Sequence, residues 1–233
     1  MFNSVSDARQ IISSLEDTLH RDDAFSDPEV YGMIEAIQQV IDTLGAVNKR
    51  DKLLTIAEVT DVGEQGLLLI DNLIYKLTTQ GYEIHRHEIG HVALVIANWV
   101  INHGGELESI QSVVDALANM ANDVTDTISL LQLSTFMNQV AHACTSAIQS
   151  DTDNSDTSRP WLALSMNRGI VATRTHDIEL MNTVFTDLTK AIPLEAPQFF
   201  KEGMIEMERL NYPQSVCDLM SEFYEQTKPP VVH

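Results

Sequence analysis

The chain reads as an all-α protein, an array of about eleven antiparallel helices arranged as helical hairpins in a solenoid-like stack or as a compact bundle. Three observations lead there. Apolar residues recur at intervals of three and four almost throughout, no segment alternates long enough to make a strand, and short polar turns separate the periodic stretches.

Ile11, Ile12, Leu15 and Leu19 mark the first helix. The second carries Val30, Met33, Ile34, Ile37, Ile41 and Leu44; Asp27 is placed to cap it, Pro28 sits at its first position, and Gly45 closes it. Leu53, Leu54, Ile56 and Ala57 suggest a short third helix, and residues 63–79 a fourth. Residues 82–103 form a fifth, apolar nearly all round between Val92 and Ile101, which is the pattern of a central buried helix. Gly104 and Gly105 break the chain. Ile110, Val113, Val114, Leu117 and Met120 give the next amphipathic helix, and a long one from about Asp123 carries Ile128, Leu131, Phe136, Val140 and Ile148. Four more follow, over 160–173, 177–192, 194–210 and 213–224, with Asp177 and Pro213 as start signals. Pro160 and Pro197 open the last two hairpins 37 residues apart, a helical-repeat spacing.

Residues 150–158 have linker composition and are acidic, so the chain divides into a helical subdomain over 1–149 and helical hairpins over 159–227, the second of which can continue the first as one domain. Asp151, Asp153, Ser155 and Asp156 imitate the start of a calcium loop, but Asp156 stands where the loop needs Gly and Leu162 where it needs Glu.

The 233 residues include 34 acidic and 14 basic side chains, a formal charge of −20, which argues against nucleic-acid backbones and anionic lipid surfaces as partners. The two cysteines, Cys144 and Cys217, lie in apolar-periodic segments and not in a disulfide framework; with no apolar run of spanning length, the expectation is a cytoplasmic protein without membrane association. Phosphate-cradling glycine loops, nucleophile elbows and paired Cys-x-x-Cys motifs are absent.

One motif has a chemical reading. His87-Glu88-Ile89-Gly90-His91 fits H-E-x-x-H and resembles the zinc-binding helix of the zincin metallopeptidases, over about five residues. At i and i+4 the two imidazoles share a helix face, so the resemblance implies zinc on His87 and His91 with Glu88 as general base. It also implies a third ligand from the following helix, where Asp115 is the acid level with the histidines. The residues allow a second reading. His87, His91, Asn98 and Asn102 fall at spacings of 4, 7 and 4, one polar stripe on an otherwise apolar helix.

Arg168, Arg174 and His176 concentrate cationic groups in an acidic chain, as a partner-binding site or as local neutralisation of neighbouring acids. Phe199, Phe200, Met204, Met207, Leu210 and Tyr212 form a Met and aromatic stripe, core for the most part or a groove for a partner helix. Together these features favour a non-enzymatic interaction or scaffold protein that holds a protein partner without a cofactor. The alternative is a zinc-dependent hydrolase built on His87, Glu88 and His91.

Overall fold

The computed structural model describes residues 4–22, 25–49, 53–150 and 159–228. Among them are eleven α-helices, one 3₁₀ turn and no strand, so the fold is all-α. In chain order they are α1 (Val5–Arg21), α2 (Pro28–Asn48), α3 (Ile56–Thr79), the 3₁₀ turn Glu83–His85, α4 (Arg86–Asn102), α5 (Gln111–Asp123), α6 (Thr127–Ala143), α7 (Ser146–Ser150), α8 (Pro160–Thr175), α9 (Ile178–Ala191), α10 (Ala196–Leu210) and α11 (Gln214–Thr227). None of these helices is long and apolar enough to cross a membrane. The backbone forms two compact units, Met1–Met120 with Gln139–Thr152, and Ala121–Asn138 with Asp153–His233. Residues 151–158, which hold nearly all of the expected acidic linker and the calcium-loop imitation, lie outside the described residues.

In the first unit, helix starts are written locally. Ser4 and Asp7 form a reciprocal capping box on α1, and Asp27 accepts the Glu29 and Val30 amides at the head of α2. Helix α2 does not end at Gly45 but continues to Asn48, with space at Gly45 against Val5 of α1. The expected third and fourth helices are one. A Thr55–Glu58 capping box starts α3, which runs unbroken for 24 residues through Gly63 and Gly66. Those glycines are tertiary features: a Cβ at Gly63 would lie 2.3 Å from Val100 Cγ2, and one at Gly66 3.1 Å from Ile96 Cδ1 and Val40 Cγ1. Side chains of α4 and α2 occupy that space, and their burial outweighs the ~1 kcal/mol that glycine costs within a helix.

Helix α4 buries Ile89, Gly90, Val92 to Ala97, Trp99 and Val100, and it packs on α1, α2 and α3. Gly104, at φ +75°, turns the chain after it, a left-handed conformation that costs glycine little. Ile110, just before α5, has no side-chain oxygen to cap the helix. The cap comes from α3: Asp71 Oδ1 accepts the Ser112 amide at 3.0 Å, and Ser109 Oγ donates to Glu64 Oε1 at 2.8 Å. Burial pushes the Asp71 carboxyl above its usual range, against the Ser112 hydrogen bonds that lower it, and Asp115 and Glu64 add to the rise. The long helix expected from Asp123 ends at Ala143 and is followed by the short α7. Its buried face is Leu130, Leu133, Phe136, Met137 and Val140, with Ile128 and Leu131 on the exposed side.

The second unit contains two packed helix pairs, α8 with α9 and α10 with α11. Asp177 caps α9 through the Glu179 and Leu180 amides, and the Arg159–Glu195 ion pair at 2.6 Å links the chain entering α8 to the chain entering α10. Phe185, Phe199, Phe200 and Phe223 meet in mostly edge-on contacts, with centroids 5.1 to 6.2 Å apart. Close approach again depends on glycine, since a Cβ at Gly169 would lie 2.5 Å from the Phe199 ring and one at Gly203 2.8 Å from Met220 Cε.

Candidate functional site

Helix α4 brings His87 and His91 together as the i, i+4 spacing requires, with ring centroids 5.9 Å apart. His87 is exposed and His91 half-buried, while Glu88 faces solvent 3.7 Å from His85 Nδ1. An open cleft of about 500 Å³ runs past them, walled on the α1 side by Asp7, Gln10, Ile11 and Ser14. Asp7 belongs to the α1 capping box, and its hydrogen bonds with the Ser4 backbone and hydroxyl hold its carboxyl below the usual range.

Asp115 does not complete a shell with the two histidines. It lines a separate cleft that reaches His87 but not His91, and its oxygens accept Arg86 Nη2 at 2.7 Å and Gln111 Nε2 at 3.1 Å. Among the described residues no group of three or more His, Cys, Asp or Glu side chains could hold a metal ion. His87, His91, Asn98 and Asn102 all reach the surface along one edge of a helix whose remaining residues from Val92 to Val100 are buried.

The cationic cluster of the second unit divides. Arg168 is only 4% exposed, and its guanidinium donates to Asn138 Oδ1 at 2.9 Å and to Asp187 Oδ2 at 3.2 Å, which binds α8 to α6 and α9. Arg174 donates to the Ala121 and Val124 carbonyls, closing the C-terminal end of α5. Both arginines thus serve the unit's own packing. His176 faces out in a left-handed conformation, its ring 4.7 Å from Tyr212.

The Met and aromatic stripe also divides. Phe200 and Met207 are core, as are Met220 and Phe223 of α11, whereas Phe199 and Tyr212 are half-buried and Leu210 is 51% exposed. Between α8, α10 and α11, Phe199, Met207, Leu210, Tyr212 and Met220 line an apolar cleft of about 330 Å³, together with Ile170 of α8, itself 45% exposed. Gly203 lines the cleft, and because Gly169 and Gly203 carry no side chain the Phe199 ring and Met220, which also line it, lie close to the helix backbones. Arg174 stands on its α8 side. Glu202 and Glu206 line its α10 side, one turn apart. Ile170, Gly203 and the two glutamates had no distinctive sequence signal, since a glycine within a helical period and two surface acids fit any amphipathic helix. Comparison with protein-family models, with curated proteins and with solved structures gave no match.

Proposed function

We propose that this chain is a non-enzymatic helical interaction protein of the cytoplasm, and that it holds a protein partner in the α8/α10/α11 cleft. The observation that carries this reading is the cleft itself: a concave, predominantly apolar surface on which Ile170 and Leu210 remain about half exposed. Large apolar side chains gathered at a concavity gain affinity by leaving water on binding, and such pockets accept the anchor residues of a partner. Cys144 and Cys217 are thiols outside any disulfide, which suits a reducing compartment. The charge of −20 selects against nucleic acid and anionic membranes as the bound surface.

The test is site-specific photo-crosslinking in the native host. A benzophenone side chain at Leu210 is expected to trap a discrete protein adduct. The same group at Ile205, exposed on α10 but not lining the cleft, is expected not to. Absence of an adduct at Leu210, or identical adducts from both positions, would overturn the proposal.

A further inference from the structure

The geometry points to a cationic amphipathic helix as the occupant of the α8/α10/α11 cleft, its apolar face on the floor and its basic residues, one turn apart, beside Glu202 and Glu206. This deepens the docking reading above and rests on it.

The argument is charge complementarity along one edge. Glu202 and Glu206 are at i and i+4 on α10, so their carboxylates recur about every 6 Å along the helix, which matches basic residues one turn apart on a helix laid alongside. The Glu202 carboxylate accepts a 2.6 Å bond from the neutral Gln198 amide, and among the described residues it makes no ion pair. Glu206 accepts two bonds from Arg209, at 2.6 and 2.9 Å, on the exposed surface where such pairs exchange readily. The wider surface has the same sign: residues 196–227 contain six acidic side chains, against Lys201 and Arg209 alone as bases. On the opposite edge the Arg174 guanidinium is turned into the Ala121 and Val124 carbonyls. A second copy of a chain with a charge of −20 would meet repulsion here, whereas a basic helix is steered in. A volume of about 330 Å³ suits a few anchor side chains and not a whole helix, so the occupant lies across the mouth with its apolar face inward.

The experiment uses the full chain and two synthetic amphipathic peptides of about 18 residues, alike in their leucines at helical spacing but carrying lysine or glutamate on the polar face. Binding is read by fluorescence anisotropy. The lysine peptide is expected to bind, more weakly as salt rises from about 50 to about 300 mM, and the glutamate peptide not to bind. Glu202→Lys is expected to weaken the lysine peptide about tenfold. Glu35→Lys on exposed α2 of the other unit makes the same change in net charge and is expected to have no effect. Ile170→Asp should abolish binding, and exposed Glu202→Gln keeps the test decisive should Ile170→Asp unfold the unit. Equal binding of both peptides, blocked by Ile170→Asp, would overturn the cationic preference and leave the docking reading standing. Equal loss in Glu35→Lys and Glu202→Lys would show a bulk charge effect and overturn the assignment. Failure of both peptides to bind would also overturn it, with the Leu210 crosslink still deciding the docking reading on its own.

Discussion

Replacing Gly63 by Ala tests whether α3 and α4 meet as closely as the structure shows. On an isolated helix the change stabilises by ~1 kcal/mol, because alanine is the better helix former. Here the new methyl would lie 2.3 Å from Val100 Cγ2, well inside van der Waals contact, and Val100 is itself fully buried. Overpacking of this kind costs ~1–3 kcal/mol, so after the propensity gain the net expectation is a loss of up to about 2 kcal/mol. Val100→Ala alone removes two buried methyl-sized groups and should cost about 2 kcal/mol. In the double variant the methyl introduced on α3 occupies part of the space that the Val100 side chain leaves. The two losses should then fall short of additivity by about 1 kcal/mol or more. Urea unfolding followed by Trp99 fluorescence in a Trp161→Phe background reads the first unit, since Trp99 and Trp161 belong to different units. A Gly63→Ala variant more stable than the parent, or strict additivity in the double variant, would refute the close α3–α4 contact.

Trp99→Ala should cost about 3–5 kcal/mol in urea unfolding followed by far-ultraviolet circular dichroism, because the side chain is 3% exposed with its ring centroid 4.5 Å from that of His103; a loss below about 1 kcal/mol would refute its core placement. Asp71→Asn should stabilise at neutral pH. The folded state raises the Asp71 pKa and so favours the protonated form; the penalty is absent below the unfolded value and grows as pH rises through the folded value, while Asn can still accept the Ser112 amide. Stability curves for parent and variant should therefore converge below the ordinary aspartate range, and parallel curves would refute the desolvation argument. Protein purified without affinity tag or chelator should contain no stoichiometric zinc by elemental analysis, with His87→Gln changing nothing. A tightly bound zinc lost in His87→Gln or His91→Gln would contradict the reading of Asp115 as engaged by Arg86 and Gln111. Asp177→Ala should cost ~1 kcal/mol in thermal unfolding of the second unit, because it removes the carboxylate oxygen that accepts the Glu179 and Leu180 amides at the head of α9.

Signals that act within one helical turn were legible in the chain. The caps Asp27 and Asp177, the break at Gly104, the buried run from Val92 to Ala97 and the helical period of every long element are short-range features, and they suffice for the all-α class. Features dependent on distant residues were not legible. Gly63 and Gly45 look like helix ends, yet neither ends its helix; at Gly63 it is Val100 that determines what the glycine is for. Helix α5 lacks a cap in its own sequence because Asp71, 41 residues earlier than Ser112, supplies one. The same distinction runs through the sites. Adjacent imidazoles at His87 and His91 follow from helix geometry, but whether Asp115 joins them depends on Arg86 reaching it first. A Met and aromatic stripe contains no information on which of its members are covered. The division into a Phe200 and Met207 core and a Phe199, Leu210 and Tyr212 cleft arises only when α8 and α11 pack against α10, because burial belongs to the assembled helices and not to any one of them.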